Sequence, residues 1–209
     1  MNKKSPYKTL TILIVSVLFF SKLSKAQTFK SGVIAGFNVS QISGDDLGGY
    51  DKPGPVVGMF LNKEVKEIFQ VEMQMIYIQK GSRKYPDVKN GDNTRYSLNL
   101  NYIEIPIIVK YKIKKLFLVG GISNGVMFKQ YVGNEYGAYP ANTTATQPFH
   151  KWELSYNLGL SYPIGKNFEI EGKINHSLLP VRTNRPYELH WVDRGQFNDL
   201  LVWVLKYKF

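Results

Sequence analysis

From Leu201 to Phe209 the chain alternates without a break. Leu201, Trp203, Leu205, Tyr207 and Phe209 occupy one set of positions, and Val202, Val204, Lys206 and Lys208 the other. Successive side chains of an extended strand point to opposite faces, so this segment is a strand with one wholly apolar or aromatic face. Its other face ends in two lysines. Such a strand needs hydrocarbon or a core on one side and groups able to pair ammonium ions on the other. The rhythm recurs upstream. Trp152, Leu154, Tyr156, Leu158, Leu160 and Tyr162 alternate with Glu153, Ser155, Asn157, Gly159 and Ser161. Phe69, Val71, Met73, Met75 and Tyr77 alternate with Gln70, Glu72, Gln74 and Ile76, and Phe168, Ile170 and Ile174 with Glu169, Glu171, Lys173 and Asn175.

Eight strands follow from this pattern, at about 31–40, 54–62, 68–80, 97–112, 115–129, 149–162, 167–178 and 198–209. Several run ten residues or more, beyond the usual soluble strand of about 5–6 and long enough for a tilted bilayer crossing. Their connections alternate. Short turns (Asn62–Glu67, Ile113–Lys114, Pro163–Lys166) separate segments of about 13 to 19 residues. The expected fold is all-β: an eight-stranded antiparallel up-and-down transmembrane β-barrel over residues 27–209, with short periplasmic turns and long extracellular loops. An even strand count places both termini in the periplasm. Aromatic residues make up 14% of the chain and fall where girdles belong. Tyr162, Phe168, Tyr207 and Phe209 are expected near the periplasmic ends, and Tyr77, Phe128, Phe149 and Trp152 near the outer ends. A soluble lipocalin-like barrel would instead need its apolar faces inside.

The N-terminus supports export. Lys3, Lys4 and Lys8 precede an apolar run from Leu10 to Phe20, and Ser24-Lys25-Ala26 offers a small-x-small cleavage site. This order is that of a secretory signal peptide, expected at residues 1–26 and too short for a spanning helix of about 20 residues. The formal charge of +11 includes five lysines of that segment, which holds no acid, so the mature chain carries +6. That balance is weak grounds for a nucleic-acid partner. There is no cysteine, hence no disulfide framework and no thiolate nucleophile. The expected location is the outer membrane of a Gram-negative bacterium. An aromatic-alternating strand ending on Phe also resembles the C-terminal strand of outer-membrane barrels, which implies the barrel-assembly machinery as a partner.

The stretch Asn101-Tyr102-Ile103-Glu104-Ile105-Pro106-Ile107-Ile108-Val109-Lys110-Tyr111 resembles the most recognisable segment of the PorT-like outer-membrane barrel family of Bacteroidetes. Gly36-Phe37-Asn38-Val39-Ser40, Gly58-Met59-Phe60 and Tyr77 through Lys80-Gly81 match at the level of pattern. The resemblance covers essentially the whole mature chain. One departure is Gln74, where the family often has Glu three residues before the Tyr. The family's namesake is linked to secretion across the outer membrane, so the resemblance implies a secretion-apparatus partner.

Proline lacks a ladder donor and sits at edges or bulges, and a closed barrel has no edge. Pro106 therefore predicts a bulge at Ile105–Ile107 that re-aims Glu104 or Ile108. An eight-stranded barrel is just wide enough for its interior side chains to fill it. The expected lumen holds Gln70, Glu72, Gln74, Glu104, Lys110, Lys151, Glu153, Glu169, Glu171, Lys173, Lys206 and Lys208. Pairing of the last two strands brings Glu169 and Glu171 towards Lys206 and Lys208, which predicts an ion-pair network near the periplasmic end.

Catalytic chemistry finds little support. His176 and Ser177 are adjacent on a strand and so face opposite sides. His150 and His190 lie near or in loops, where solvated histidines are the default. Asp45, Asp46 and Asp51 lack ordered cation-ligand spacing. Gly120-Gly121 and Gly32-x-x-x-Gly36 suit bends and close strand approach, and Asn142-Thr143-Thr144 is a sequon by spelling only. No catalytic, metal or cofactor-binding residue is expected. The outer loops carry Tyr131, Tyr136 and Tyr139, and Arg182, Arg185, Tyr187, His190, Trp191 and Arg194. These are residue types enriched at binding hot spots and suited equally to phosphate-rich lipopolysaccharide. The sequence thus points to a non-enzymatic outer-membrane protein, structural or partner-binding through its loops. A small pore and an accessory part in secretion are the alternatives.

Overall fold

The structure, a computed structural model, describes residues 29–45, 47–91, 93, 95–134, 137–139, 148–183 and 195–209. The expected signal peptide lies outside them. Nine strands form: β1 (Phe29–Ser43), β2 (Lys52–Lys66), β3 (Phe69–Lys84), β4 (Tyr96–Ile113), β5 (Leu116–Asn134), β6 (Gly137–Tyr139), β7 (Trp152–Ile164), β8 (Phe168–Ser177) and β9 (Phe197–Lys208). All pairings between them are antiparallel, and each long strand pairs with two neighbours. β9 returns to β1, with Val33 opposite Tyr207 and Val39 opposite Leu201, and closes an eight-stranded barrel. β6 pairs only with the far end of β5, as an extension above the wall.

Closure pairs the backbone polar groups along both edges of every long strand, the condition for a sheet to sit in hydrocarbon. Side-chain burial is inverted relative to a soluble domain. Glu72 and Lys206 have no accessible surface, whereas Met59 and Leu158 are 60% and 52% exposed. Alternation accounts for this directly, since polar residues at one parity point inward and apolar ones at the other point outward. Along β7, Glu153, Ser155, Asn157 and Ser161 are buried, while Leu158, Leu160 and Tyr162 are exposed.

Three connections at one end are short: 67–68, 114–115 and 165–167. Lys114 takes φ 57 to make its turn. Both ends of the described chain lie at this short-turn end. The opposite end carries 44–51, 85–95, the segment between β5 and β7 that includes β6, and 178–196. The strands extend further towards this long-loop end than the alternation indicated, so the first two of these loops are shorter than expected.

Three expectations are corrected. The bulge is not at Pro106. Pairing of β4 with β5 is continuous through Ile105, Pro106 and Ile107, and Pro106 and Ile108 point inward while Ile105 and Ile107 point out. Registration with β3 is the same on either side of the proline. The shift falls instead at Asn101/Tyr102, which face Lys129 and Met127 and leave Phe128 as the extra residue of β5. Lys151 precedes β7 and is exposed rather than lumenal. Phe149 is not a girdle residue. It is 7% exposed and packs with Val181, Leu98, Leu100 and Leu200 in the barrel interior near the long-loop end.

Candidate functional site

The lumen is not uniformly polar. An apolar column built from Ile34, Val56, Phe60, Ile78, Leu100, Tyr102 and Val202 occupies part of it. The remainder holds charge: among the described residues five lysines and five glutamates are buried, so the interior is formally balanced. Buried charges are tolerated only when paired and hydrogen-bonded. All but Lys52 have an oppositely charged partner among the described residues, and Lys52 donates instead to the Pro53 carbonyl and to Gln79 Oε1 at 2.8 and 3.0 Å.

Near the short-turn end, Glu72 is the hub. It accepts from Lys110 and Lys206, each at 2.6 Å, and from Gln74 at 2.6 Å and Asn62 at 3.3 Å. Lys206 also reaches Glu171 at 2.5 Å, Lys173 lies 3.0 Å from Glu171, and Lys208 lies 2.7 Å from Glu169. Lys110 donates to Glu169 as well. The network expected from β8 and β9 is therefore present, with Glu169 directly opposite Lys206. It extends across the lumen to β3 and β4.

A second cluster lies nearer the long loops. Glu104 and Glu153 both pair with Gly125, one on each side of β5. A Cβ on Gly125 would stand 3.1 Å from the Glu104 side chain, so the glycine leaves room for two carboxylates to approach. Lys80 bridges them, 2.5 Å from Glu104 and 2.9 Å from Glu153. Ser177 and Asn198 donate to Glu153 at 2.7 and 2.9 Å, and the Lys80 ammonium sits 5.2 Å from the Tyr102 ring centroid. Lys173 donates to Gln74 at 3.3 Å within the Glu72 cluster. Sequence reasoning missed Lys80, although it continues the inward parity of Gln70, Glu72 and Gln74. In the sequence it marks only the end of its strand.

The remaining expected residues scatter. His176 and Ser177 do face opposite sides: Ser177 is buried in the lumen, while the His176 ring is on the outer face, stacked on Phe197 and 3.5 Å from Asp199. Tyr50, in loop 44–51, donates to Asp199 at 2.8 Å, and burial together with that carboxylate pushes its phenol up to about 12. A ring nitrogen of exposed His150 lies 3.0 Å from the Pro180 carbonyl. Asp45 accepts the Leu47 N–H at 2.9 Å in a local turn. No three His, Asp or Glu side chains converge to hold a metal among the described residues. Of the loop residues, Tyr131 lies on the outer wall of β5, and the Arg182 guanidinium stands 4.7 Å from the Phe149 ring, so it caps the interior. Asp46, Tyr136, Asn142, Arg185, Tyr187, His190, Trp191 and Arg194 fall outside the described residues.

The sequence profile of a family described as outer membrane protein beta-barrel domain matches residues 24–182. No curated protein matches the chain significantly. Among solved structures, Neisserial surface protein A (NspA) is similar at 12% identity and a TM-score of 0.52, covering 87% of this chain and 97% of its own. Ail, the attachment invasion locus protein of Yersinia pestis, solved with the heparin analogue sucrose octasulfate, shares 15% identity at a TM-score of 0.48 over 87% and 99%. OprG of Pseudomonas aeruginosa shares 12% at 0.36 over 87% and 94%. At 12% identity the likeness to NspA speaks for the fold alone.

Proposed function

Since the chain belongs to the outer membrane protein beta-barrel domain family, we propose that it is a non-enzymatic outer-membrane barrel, closed to solutes, that meets a surface partner through its long-loop end. One observation carries this reading: charged side chains from β3, β4, β8 and β9 meet across the lumen, with Glu72 held between Lys110 and Lys206. A pore needs water where these groups touch. These side chains occupy the space that a water path would need, as expected of an eight-stranded barrel whose interior is just wide enough for its own side chains.

On this reading the short-turn end faces the periplasm and the long loops face outward. The C-terminal strand carrying Tyr207 and Phe209 is the segment assigned to the assembly machinery. Lipopolysaccharide surrounds the outer rim. The direct test is conductance of the purified, folded protein in a planar bilayer. The expected result is a silent membrane at all voltages that the lipid withstands. Steady channels that change when Lys110 or Lys206 is replaced would overturn the closed-barrel reading. Loss of secreted proteins on deleting the chain would place the partner in a secretion apparatus, the role that the PorT-like resemblance implies.

A further inference from the structure

One patch of the lipid-facing wall breaks the apolar rule. Across the outer face of β3, β4 and β5 the first rung reads Tyr77, Ile103 and Val126. The next towards the long loops reads Gln79, Asn101 and Lys129, and the one after it Gly81, Asn99 and Tyr131. Together with Phe128 the polar and aromatic members line a hollow of about 580 Å³ on the outside of the barrel.

Two backbone features make the hollow. The bulge leaves Phe128 unpaired and turned outward, 57% exposed, as a side wall. Gly81 contributes no side chain to the third rung. Its φ is 142°, and a Cβ there would come 2.0 Å from the Leu98 carbonyl oxygen, so no other residue fits. The floor is rigid. Asn101 Oδ1 accepts from the Tyr77 hydroxyl at 2.7 Å and from Gln79 Nε2 at 3.2 Å, while its Nδ2 donates to the Lys129 carbonyl at 3.2 Å.

Two groups are left open. Among the described residues, neither the Asn99 amide nor the Lys129 ammonium has a hydrogen-bonding or carboxylate partner. Lys129 rests 4.7 Å from the Tyr131 ring centroid, a placement that holds the cation without neutralising it. Amides, aromatic faces and one unneutralised cation form a set that matches a phosphorylated sugar. Its hydroxyls suit the amides, its C–H faces suit the rings, and its phosphate suits the lysine. The lower edge continues into exposed Met75, Ile103 and Ile105, a surface for acyl chains.

We propose that this hollow seats the phosphorylated sugar headgroup of an outer-leaflet glycolipid whose acyl chains run down the wall of β3 and β4. The assignment rests on the reading that the long-loop end faces outward.

The test is native mass spectrometry of the folded protein in detergent, titrated with diphosphorylated lipid A. The comparison ligands are the same lipid after dephosphorylation, phosphatidylglycerol, and the deacylated bisphosphorylated disaccharide. A one-to-one lipid A adduct is expected, weakened about tenfold by loss of the phosphates or by Lys129→Glu or Asn99→Leu, as loss of a charge-assisted contact implies. Heat-modifiable gel migration of both variants should be unchanged. Equal binding by phosphatidylglycerol, or by both variants, overturns the seat. Equal binding by the deacylated disaccharide overturns the membrane-anchored source. Orientation is read separately: the chain has no cysteine, so Asn90→Cys is a unique thiol in loop 85–95. Its labelling by an impermeant maleimide on intact cells supports the outward reading. Protection there with lipid A binding intact would sink the orientation and leave the seat.

Discussion

At the scale of single residues, the interior is decided by which charges touch. Lys206 has no solvent contact and holds Glu72 and Glu171 at 2.6 and 2.5 Å. Lys206→Met would leave both carboxylates buried with one cation fewer, and removing one member of such a group costs about 3 kcal/mol. Urea titration of the protein folded in lipid vesicles should show that loss. Adding Glu171→Gln to the same chain should recover part of it, because one of the stranded charges is then gone. Lys206, Glu169 and Glu171 were legible in the sequence because each lies on a clean alternating strand with a known neighbour. Lys80 was not. Its partners Glu104 and Glu153 are remote in sequence, and nothing local marks a strand as continuing past a lysine.

At the scale of elements, alternation specified the faces but not the irregularities. Pro106 suggested a bulge because it cannot donate to a ladder, yet β4 accommodates it without a register change. The actual bulge, at Phe128, carries no proline or glycine of its own. It arises from how β5 fits β4, a tertiary demand invisible in either strand alone. The same limit hid the outer-wall hollow, whose residues come from three strands and look unremarkable in each. Phe149 was misread for a related reason: an aromatic at a strand end can cap a lumen as readily as it can face lipid. Membrane residence itself can be tested on one strand. Leu158, in the middle of β7, and Val88, in loop 85–95, are both exposed, at 52% and 73%. Leu158→Arg should cost about 2–4 kcal/mol in vesicles, as cations do at mid-bilayer, whereas Val88→Arg should cost almost nothing. Equal small costs, read from urea midpoints, would mean that β7 faces water.

For the whole molecule, closure is the organising fact. β1 and β9 are neighbours, and the Phe209 N–H donates to the Ser31 carbonyl at 3.0 Å. A circular permutant that joins Phe209 to Phe29 through about five flexible residues, with new ends between Asn90 and Gly91, adds only a short loop to close. It should refold in detergent and migrate faster unboiled than boiled on a gel. Failure to show that shift would mean that the order of strand addition, not the closed sheet alone, determines folding. Strand number, the alternation of short and long connections and the inside–outside assignment were all readable from the chain. The apolar column within the lumen was less so, because Ile34, Val56 and Leu100 sit on irregular strands where apolar residues occupy both parities.

The lumenal ion network draws on residues far apart along the chain, from Glu72 on β3 to Lys206 on β9. No hairpin of neighbouring strands can assemble it. Neighbouring strands of an open sheet supply only part of it, Lys110 with Glu72 on β4 and β3 and Lys206 with Glu171 on β9 and β8. Only closure brings Glu72 against Lys206 and Lys110 against Glu169. The pairs that cross the lumen therefore favour the closed barrel over the half-built sheet.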